Sequence, residues 1–409
     1  MNQTAPRPAP AGLSTALTAL FAVACGLCVA NIYFAQPLIE PISQALGLHA
    51  GLAGLVVTLT QLGYGAGLIL LVPLADVVEN RRLIMLAMAG AVLGLIGAAA
   101  STSAATFLIA SFVVGSCAVA AQVLVPFASH LAPDATRGKV VGNVMAGLLA
   151  GIMLARPFSS LVAAAFGWRA VFGVSAVLMA ALIVVIARAL PKRVPRQSVG
   201  YARTLKSLPG IVGRTPLLRR RAVYQGLMFA TFQAFWTAVP LVLAHRFGLG
   251  QAGIALFALA GAAGALAAPW AGRLADRGLT RPATGVAMAV VLLSFAIGAV
   301  SVHLHSLAGL VVAALLVDGA VQICQVLSIR SLYMLAPELR GRLNALFMTF
   351  VFLCAALASG SAAAIYAFHG WDGLSLLGGV LAVIALAAYA TEFRRRPVVL
   401  SKAQAQAAR

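Results

Sequence analysis

The chain is predicted to fold as an all-α membrane protein, with twelve transmembrane helices in two pseudo-symmetric bundles of six. Three observations predict this. Hydrophobic residues make up 62% of the 409 residues and charged residues only 9%, against about a quarter charged in a soluble protein. Apolar runs of about 20 residues, long enough to cross a bilayer as helix, recur along the whole chain. Short motifs also recur at an offset close to half the chain, the mark of a duplicated bundle. Gly167-Trp168 returns as Gly370-Trp371, and Ala121-Gln122-Val123-Leu124 as Cys324-Gln325-Val326-Leu327.

Taken in order, the spans fall near 14–38, 51–74, 83–101, 105–131, 140–166 and 169–190, then near 221–244, 252–272, 283–302, 307–333, 344–367 and 374–392. This predicts a first bundle over 1–190, a basic linker over 191–220, a second bundle over 221–392 and a tail over 393–409. Continuous apolar runs without alternation exclude a β-barrel. The first apolar segment is long and only Arg7 precedes it, so no cleavable signal peptide is expected. Pro37 and Pro240 are expected near the ends of the first and seventh spans.

A net charge of +20 could suggest a nucleic-acid partner, but its distribution argues against one. All Lys and Arg residues except Arg156, Arg169 and Arg246 fall at the N-terminus, beside even-numbered turns, in the linker or in the tail. That is the positive-inside bias, and it predicts a multi-pass protein of a bacterial-type inner membrane with both termini cytoplasmic. The linker carries Lys192, Arg193, Arg196, Arg203, Lys206, Arg214 and Arg219–Arg221. A topology anchor contacting anionic lipids is one reading, and a regulatory partner site is the other. Cys25, Cys28, Cys117, Cys324 and Cys354 all lie in apolar spans, where packing and not disulfide formation is expected. His303 and His305 make at most part of a metal site and are read as loop residues. No metal or cofactor is expected, and no nucleophile–base–acid set points to an enzyme.

Two loops anchor a family resemblance. Gly272-x-x-x-Asp276-Arg277-Gly278 follows the eighth span, and Asp76 with Arg81 and Arg82 follows the second. The chain resembles the major facilitator superfamily over nearly its whole length. Its loop signature implies that Asp76, Arg81, Arg82, Gly272, Asp276 and Arg277 form a latch holding the ends of the two halves together. A carboxylate facing a helix N-terminus and nearby arginines gives such a latch its physical basis; an ordinary turn with local ion pairs is the alternative. Within the superfamily the chain resembles the twelve-helix, drug:proton antiporter-like exporters. The supporting segments are Asn31–Leu38, Gly147-Leu-Leu-Ala-Gly151 and Phe229–Trp236. The second segment departs from the antiporter motif at Ile152, where proline is usual. Ser111 stands where many such exporters carry an arginine. Gly147 and Gly151 also suit close helix packing.

A charge inside a bilayer is costly and so functional by default. Arg156 and Asp318 are the two clear cases, each about 11 residues from the outer end of its helix, hence roughly 16–18 Å deep at ~1.5 Å per residue. Equal depth makes a salt bridge across the halves geometrically possible; a static pair and separate solvation are alternatives. Asp318 is the leading proton-coupling candidate, with Arg156 as its partner and Glu40 as runner-up. Candidate substrate-binding residues are Asn31, Tyr33 and Gln36 on the first helix, Gln61 and Tyr64 on the second, Gln122 on the fourth and Gln325 on the tenth. On the seventh, Gln225, Phe229, Phe232 and Trp236 recur at spacings that share one helical face. The expected activity is export of a small organic molecule (drug, siderophore or metabolite) by proton antiport and alternating access, by a monomer. A proton-coupled importer and a non-transporting membrane sensor or assembly protein remain the alternatives.

Overall fold

The computed structural model describes residues 14–133, 136–194, 200–335 and 340–394. The tail expected over 393–409 lies outside them beyond Arg394, as do Arg7 and Arg196. The described residues form helices and no strand. Apolar side chains such as Leu93, Ile109, Val177 and Leu357 stand exposed on the outer surface, where lipid and not water satisfies them.

The first span is α1 (Thr15–Ala30), a break at 31–35, a 3₁₀ turn Gln36–Leu38 and α2 (Ile39–Ala45). Pro37 therefore does not end this span. It sits at the start of the 3₁₀ turn, where its missing N–H is tolerated, and the helix resumes beyond it. The second span is α3 (Leu55–Leu70), flanked by 3₁₀ turns Ala50–Leu52 and Val72–Asp76. Next come α4 (Asn80–Ala99), then α5 (Ala104–Ala118) with α6 (Ala120–Leu131), α7 (Arg137–Phe166) and α8 (Trp168–Ala189), completing six spans. The linker holds a helix of its own, α9 (Tyr201–Arg214), with Thr204 and Leu208 buried and Arg203 and Lys206 exposed.

The seventh span, α10 (Pro216–Phe247), begins inside the stretch read as linker, because Pro216 suits the first helical position. It runs through Pro240 and stops where Gly248 takes a left-handed conformation. The eighth span is α11 (Gln251–Ala262), a 3₁₀ segment Ala263–Ala267 and α12 (Ala268–Asp276). The rest are α13 (Thr280–His303), α14 (Leu307–Tyr333) and α15 (Arg340–Arg394), which covers two spans separated by a kink at Gly370. Gly167 (φ 81°, ψ 165°) and Gly370 (φ 62°, ψ −156°) make matching turns, each followed by a tryptophan that opens the next helix. Positive φ with extended ψ is open essentially to glycine alone, so the repeat is written into backbone geometry as well as sequence.

Each six-span bundle packs mainly within itself, and the halves meet along α3 with α15 and α7 with α11. The face carrying the linker is termed here the linker face, and the opposite one the far face. On the far face the halves touch backbone to backbone. A Cβ on Gly54 would lie 2.3 Å from the Ser359 carbonyl oxygen. Thr58 Oγ1 also lies 3.0 Å from Ser359 Oγ.

Candidate functional site

Close packing of the first and fifth spans positions the centre of the molecule. A Cβ on Gly147 would come within 2.4 Å of the Ala22 carbonyl oxygen, and one on Gly151 within 2.2 Å of that of Gly26. The two glycines thus let α7 rest on the backbone of α1. Further along α7, Ser159 Oγ donates to the carbonyl of Phe34 at 2.6 Å. Ser175 of α8 donates to Asn31 Oδ1 at 2.6 Å. These bonds fix the broken stretch 31–35, which has left the regular helical ladder.

Arg156, 2% exposed, emerges here. Its Nε donates to Gln36 Oε1 at 2.7 Å, and Gln36 Nε2 donates to Gln233 Oε1 of the other half at 2.9 Å. Its guanidinium carbon lies 5.1 Å from the ring centre of Tyr33, 5.0 Å from that of Phe232 and 4.3 Å from that of Trp236. Such a contact is worth about 2 kcal/mol when desolvated. At the edge of the indole, Trp236 Nε1 donates to Asp318 Oδ1 at 2.6 Å. Asp318 is 6% exposed. The 3₁₀ break of the eighth span packs tightly beside it: a Cβ on Gly264 would lie 2.7 Å from Asp318 Cβ.

Arg156 and Asp318 therefore face one another across the two halves without a direct ion pair. Trp236 stands between them, offering its π face to the cation and its N–H to the carboxylate. Three buried polar atoms here have no hydrogen-bond partner among the described residues, Arg156 Nη2, Gln233 Nε2 and Thr237 Oγ1, and on α3 neither amide atom of Gln61 has one. Buried polar groups are nearly always paired in native proteins, so a cluster of free ones marks a place where a ligand or water belongs.

A second set of candidates lies alongside. Gln122 Nε2 donates to the Tyr64 hydroxyl at 2.9 Å, and Gln122 Oε1 accepts from Asn344 Nδ2 at 3.2 Å. Gln225 Nε2 donates to Gln325 Oε1 at 3.4 Å. Gln122 and Gln325 thus bond to different neighbours and not to each other. Phe229 stacks on Phe232 at 5.2 Å and packs on Phe352 at 5.4 Å, and Phe352 packs on Tyr64 at 4.4 Å. These rings form a continuous aromatic column from Tyr64 to Arg156.

Other candidates lie apart from the centre. Glu40 is on the far face, where its Oε1 lies 2.9 Å from His245 Nε2 of the opposite half. On the linker face, Asp276 pairs with Arg330, which also donates to the Gly272 carbonyl at 3.0 Å. Arg277 is exposed. Asp76 makes no hydrogen bond or ion pair among the described residues. Arg81 instead donates to the carbonyls of Ala187 and Leu190, filling the acceptors left free at the end of α8. Arg82 is exposed. His303 ends α13 and lies 2.9 Å from Asp372 Oδ1. Among the described residues no cluster of metal-ligating side chains occurs.

Sequence reasoning passed over Gln233, Thr58, Asn344 and His245. Gln233 carried a usable signal: it follows Phe229 by four positions on the same apolar helix and is as polar as Gln225. His245 gave none, because its partner lies 205 residues away.

The Major Facilitator Superfamily model matches residues 18–359 and 222–409. The uncharacterized transporter YgaY of Escherichia coli O157:H7 is 39% identical over 385 residues, covering 94% of this chain and 97% of that one. A probable transporter of Streptomyces coelicolor is 35% identical over 389 residues, covering 92% and 88%. Among solved structures, a point mutant of the nucleoside transporter NupG superposes with a TM-score of 0.73 at 14% identity, covering 92% of this chain and 99% of that one. A bacterial homologue of the human lysosomal transporter Spinster, inward-facing and occupied, gives 0.74 at 14%, covering 93% and 97%. The chain is a multi-pass membrane transporter and belongs to the Major Facilitator Superfamily.

Proposed function

We propose that the chain is a secondary active exporter that drives small organic molecules out of the cell by proton antiport. The observation carrying this reading is Asp318, a carboxylate buried mid-span at the seam between the halves and opposed by Arg156 through Trp236. A titratable group at a seam changes its surroundings when the halves rock, and alternating access then couples its proton to the solute. A charge placed this deep is hard to explain by stability alone.

The linker face is taken as cytoplasmic on the positive-inside bias, which puts both termini in the cytoplasm of an inner membrane. Anionic lipids would then meet α9 and the arginines beside it. Asp76, which makes no hydrogen bond or ion pair among the described residues, is the half of a latch that engages when the linker face closes. Asp276 is already committed to Arg330 within its own half. The molecule acts as a monomer, without cofactor, and performs no covalent chemistry.

The test uses inverted membrane vesicles carrying an imposed pH gradient, screened over drugs, siderophores, sugars and nucleoside-like metabolites. At least one solute should accumulate and discharge the gradient in doing so. Accumulation that leaves the gradient untouched would overturn proton coupling, and uptake only into right-side-out vesicles would reverse the direction.

A further inference from the structure

The centre holds one carboxylate and one guanidinium, and each keeps an unused polar atom. Arg156 spends Nε on Gln36, while its buried Nη2 has no partner among the described residues. Asp318 spends Oδ1 on Trp236, while its Oδ2 has no hydrogen bond among the described residues. The two ends are held apart by a single indole, 4.3 Å from guanidinium carbon to ring centre and 2.6 Å from N–H to carboxylate. With Asp318 deprotonated, the centre is neutral in sum but strongly dipolar.

Simple ions fit such a place poorly. A lone cation drawn to Asp318 meets Arg156, and a lone anion drawn to Arg156 meets Asp318. Either one buries three charges of which one stays unpaired, and an unpaired buried charge is strongly disfavoured. A molecule carrying both charges leaves none over. The donors are distributed to match. Gln233 Nε2 and Thr237 Oγ1, both unpartnered, lie on the helix that carries Trp236, and Gln36 ties Gln233 to Arg156. A carboxylate has about four lone-pair sites and can use several such donors at once. Beside the dipole, Phe229 and Phe232 stack into an apolar wall.

From this geometry we infer that the central site takes a zwitterionic small molecule, an amino-acid-like solute with an apolar side group. Its carboxylate sits on Arg156 Nη2, its ammonium on Asp318 Oδ2, and its side group on the phenylalanine wall. The inference rests on reading this centre as the transport site. It also supplies a reason for exchange: an ammonium and a proton cannot both occupy Asp318, so protonation expels the solute's cationic end.

The experiment measures equilibrium binding to the purified full-length chain by titration calorimetry. Two matched triads serve as probes: phenylalanine, phenylalaninamide and 3-phenylpropionate; and leucine, leucinamide and 4-methylpentanoate. In at least one triad the zwitterion should bind at least about tenfold more tightly than both analogues, because each analogue leaves one buried charge unmet. Asp318→Asn should erase the preference over the deaminated acid, and Arg156→Gln the preference over the amide. Should either variant fail to fold, the wild-type ranking decides alone. An amide or acid that binds as well as its zwitterion overturns the inference, as does absence of zwitterion binding in both triads. Binding needs no transport, so the two readings fail separately. Selective zwitterion binding without proton exchange in vesicles overturns the antiport reading only. Proton exchange driven by a solute lacking either charge overturns the zwitterion only.

Discussion

Two pairs of ionisable residues face each other across the halves of this transporter, and they are built differently. Glu40 and His245 meet directly at 2.9 Å on the far face, with 29% and 52% of their side chains exposed. Arg156 and Asp318 lie mid-span, 2% and 6% exposed, and are kept apart by Trp236. Solvent makes the difference. An exposed pair contributes about 0–1 kcal/mol, since water serves either partner nearly as well. Removing one partner of a buried pair costs about 3–5 kcal/mol, because the other charge is stranded. The far-face pair can therefore form and break as the halves rock without setting their equilibrium. At the centre, on the proposed antiport reading, one proton gained or lost is enough to shift it.

That contrast orders the effects of substitution. Arg156→Ala should be the most damaging of the packing and pairing variants. It strands Asp318 and Gln36 and empties the space between Tyr33, Phe232 and Trp236. Transport should fall by at least about a hundredfold, on the scale of about 3–5 kcal/mol for a broken buried pair, as read by initial rates in proteoliposomes. A rate within about threefold of wild type, the range expected of an exposed pair, would show that the centre does not behave as a buried one.

Gly54→Leu comes next. Its side chain would strike the Ser359 carbonyl and Gly360, so the far face could not close as it does here, at a cost of about 1–3 kcal/mol for overpacking. In a background lacking the native cysteines, Thr58→Cys should then react faster with a membrane-impermeant thiol reagent added on the far face. Unchanged reactivity would mean that this contact does not seal the far face. Trp236→Phe keeps an aromatic face for Arg156 but removes the N–H that Asp318 accepts. A lost hydrogen bond to a buried charged group is worth about 1.5–3 kcal/mol, so transport should drop roughly ten- to a hundredfold. His245→Ala should be the mildest, changing rates less than about threefold as befits an exposed pair. A His245→Ala loss as large as that of Arg156→Ala would erase the contrast between the two pairs.

Much of this was legible in the chain, and what was missed shares a physical cause. Spans were readable because lipid demands long apolar runs, and the duplication was readable because Gly167-Trp168 and Gly370-Trp371 encode the same glycine-only turn. Helix interruptions were harder. Pro37 looks like a stop, yet its span resumes as α2, because neighbours such as Ser159 hold the broken backbone. Likewise Asp76 and Asp276 occupy matching loops and look alike in sequence, but among the described residues only Asp276 of the two pairs with an arginine, Arg330 of its own half. Depth suggested that Arg156 and Asp318 could meet. Only the three-dimensional arrangement shows the Trp236 ring between them, since orientation about a helix axis is not contained in residue depth. Gln233 and Asn344 escaped for the same reason: an amide's partner across a helix interface is set by packing, not by spacing.

The most direct test of proton coupling through Asp318 is the Asp318→Asn variant in proteoliposomes, measured by solute counterflow and by pH-gradient-driven accumulation on one preparation. Asparagine keeps the shape and still accepts the Trp236 N–H, but it cannot exchange a proton. Counterflow should persist, showing a folded and mobile transporter, while gradient-driven accumulation falls to the level of empty liposomes. Full gradient-driven accumulation by Asp318→Asn would contradict Asp318 as the proton carrier.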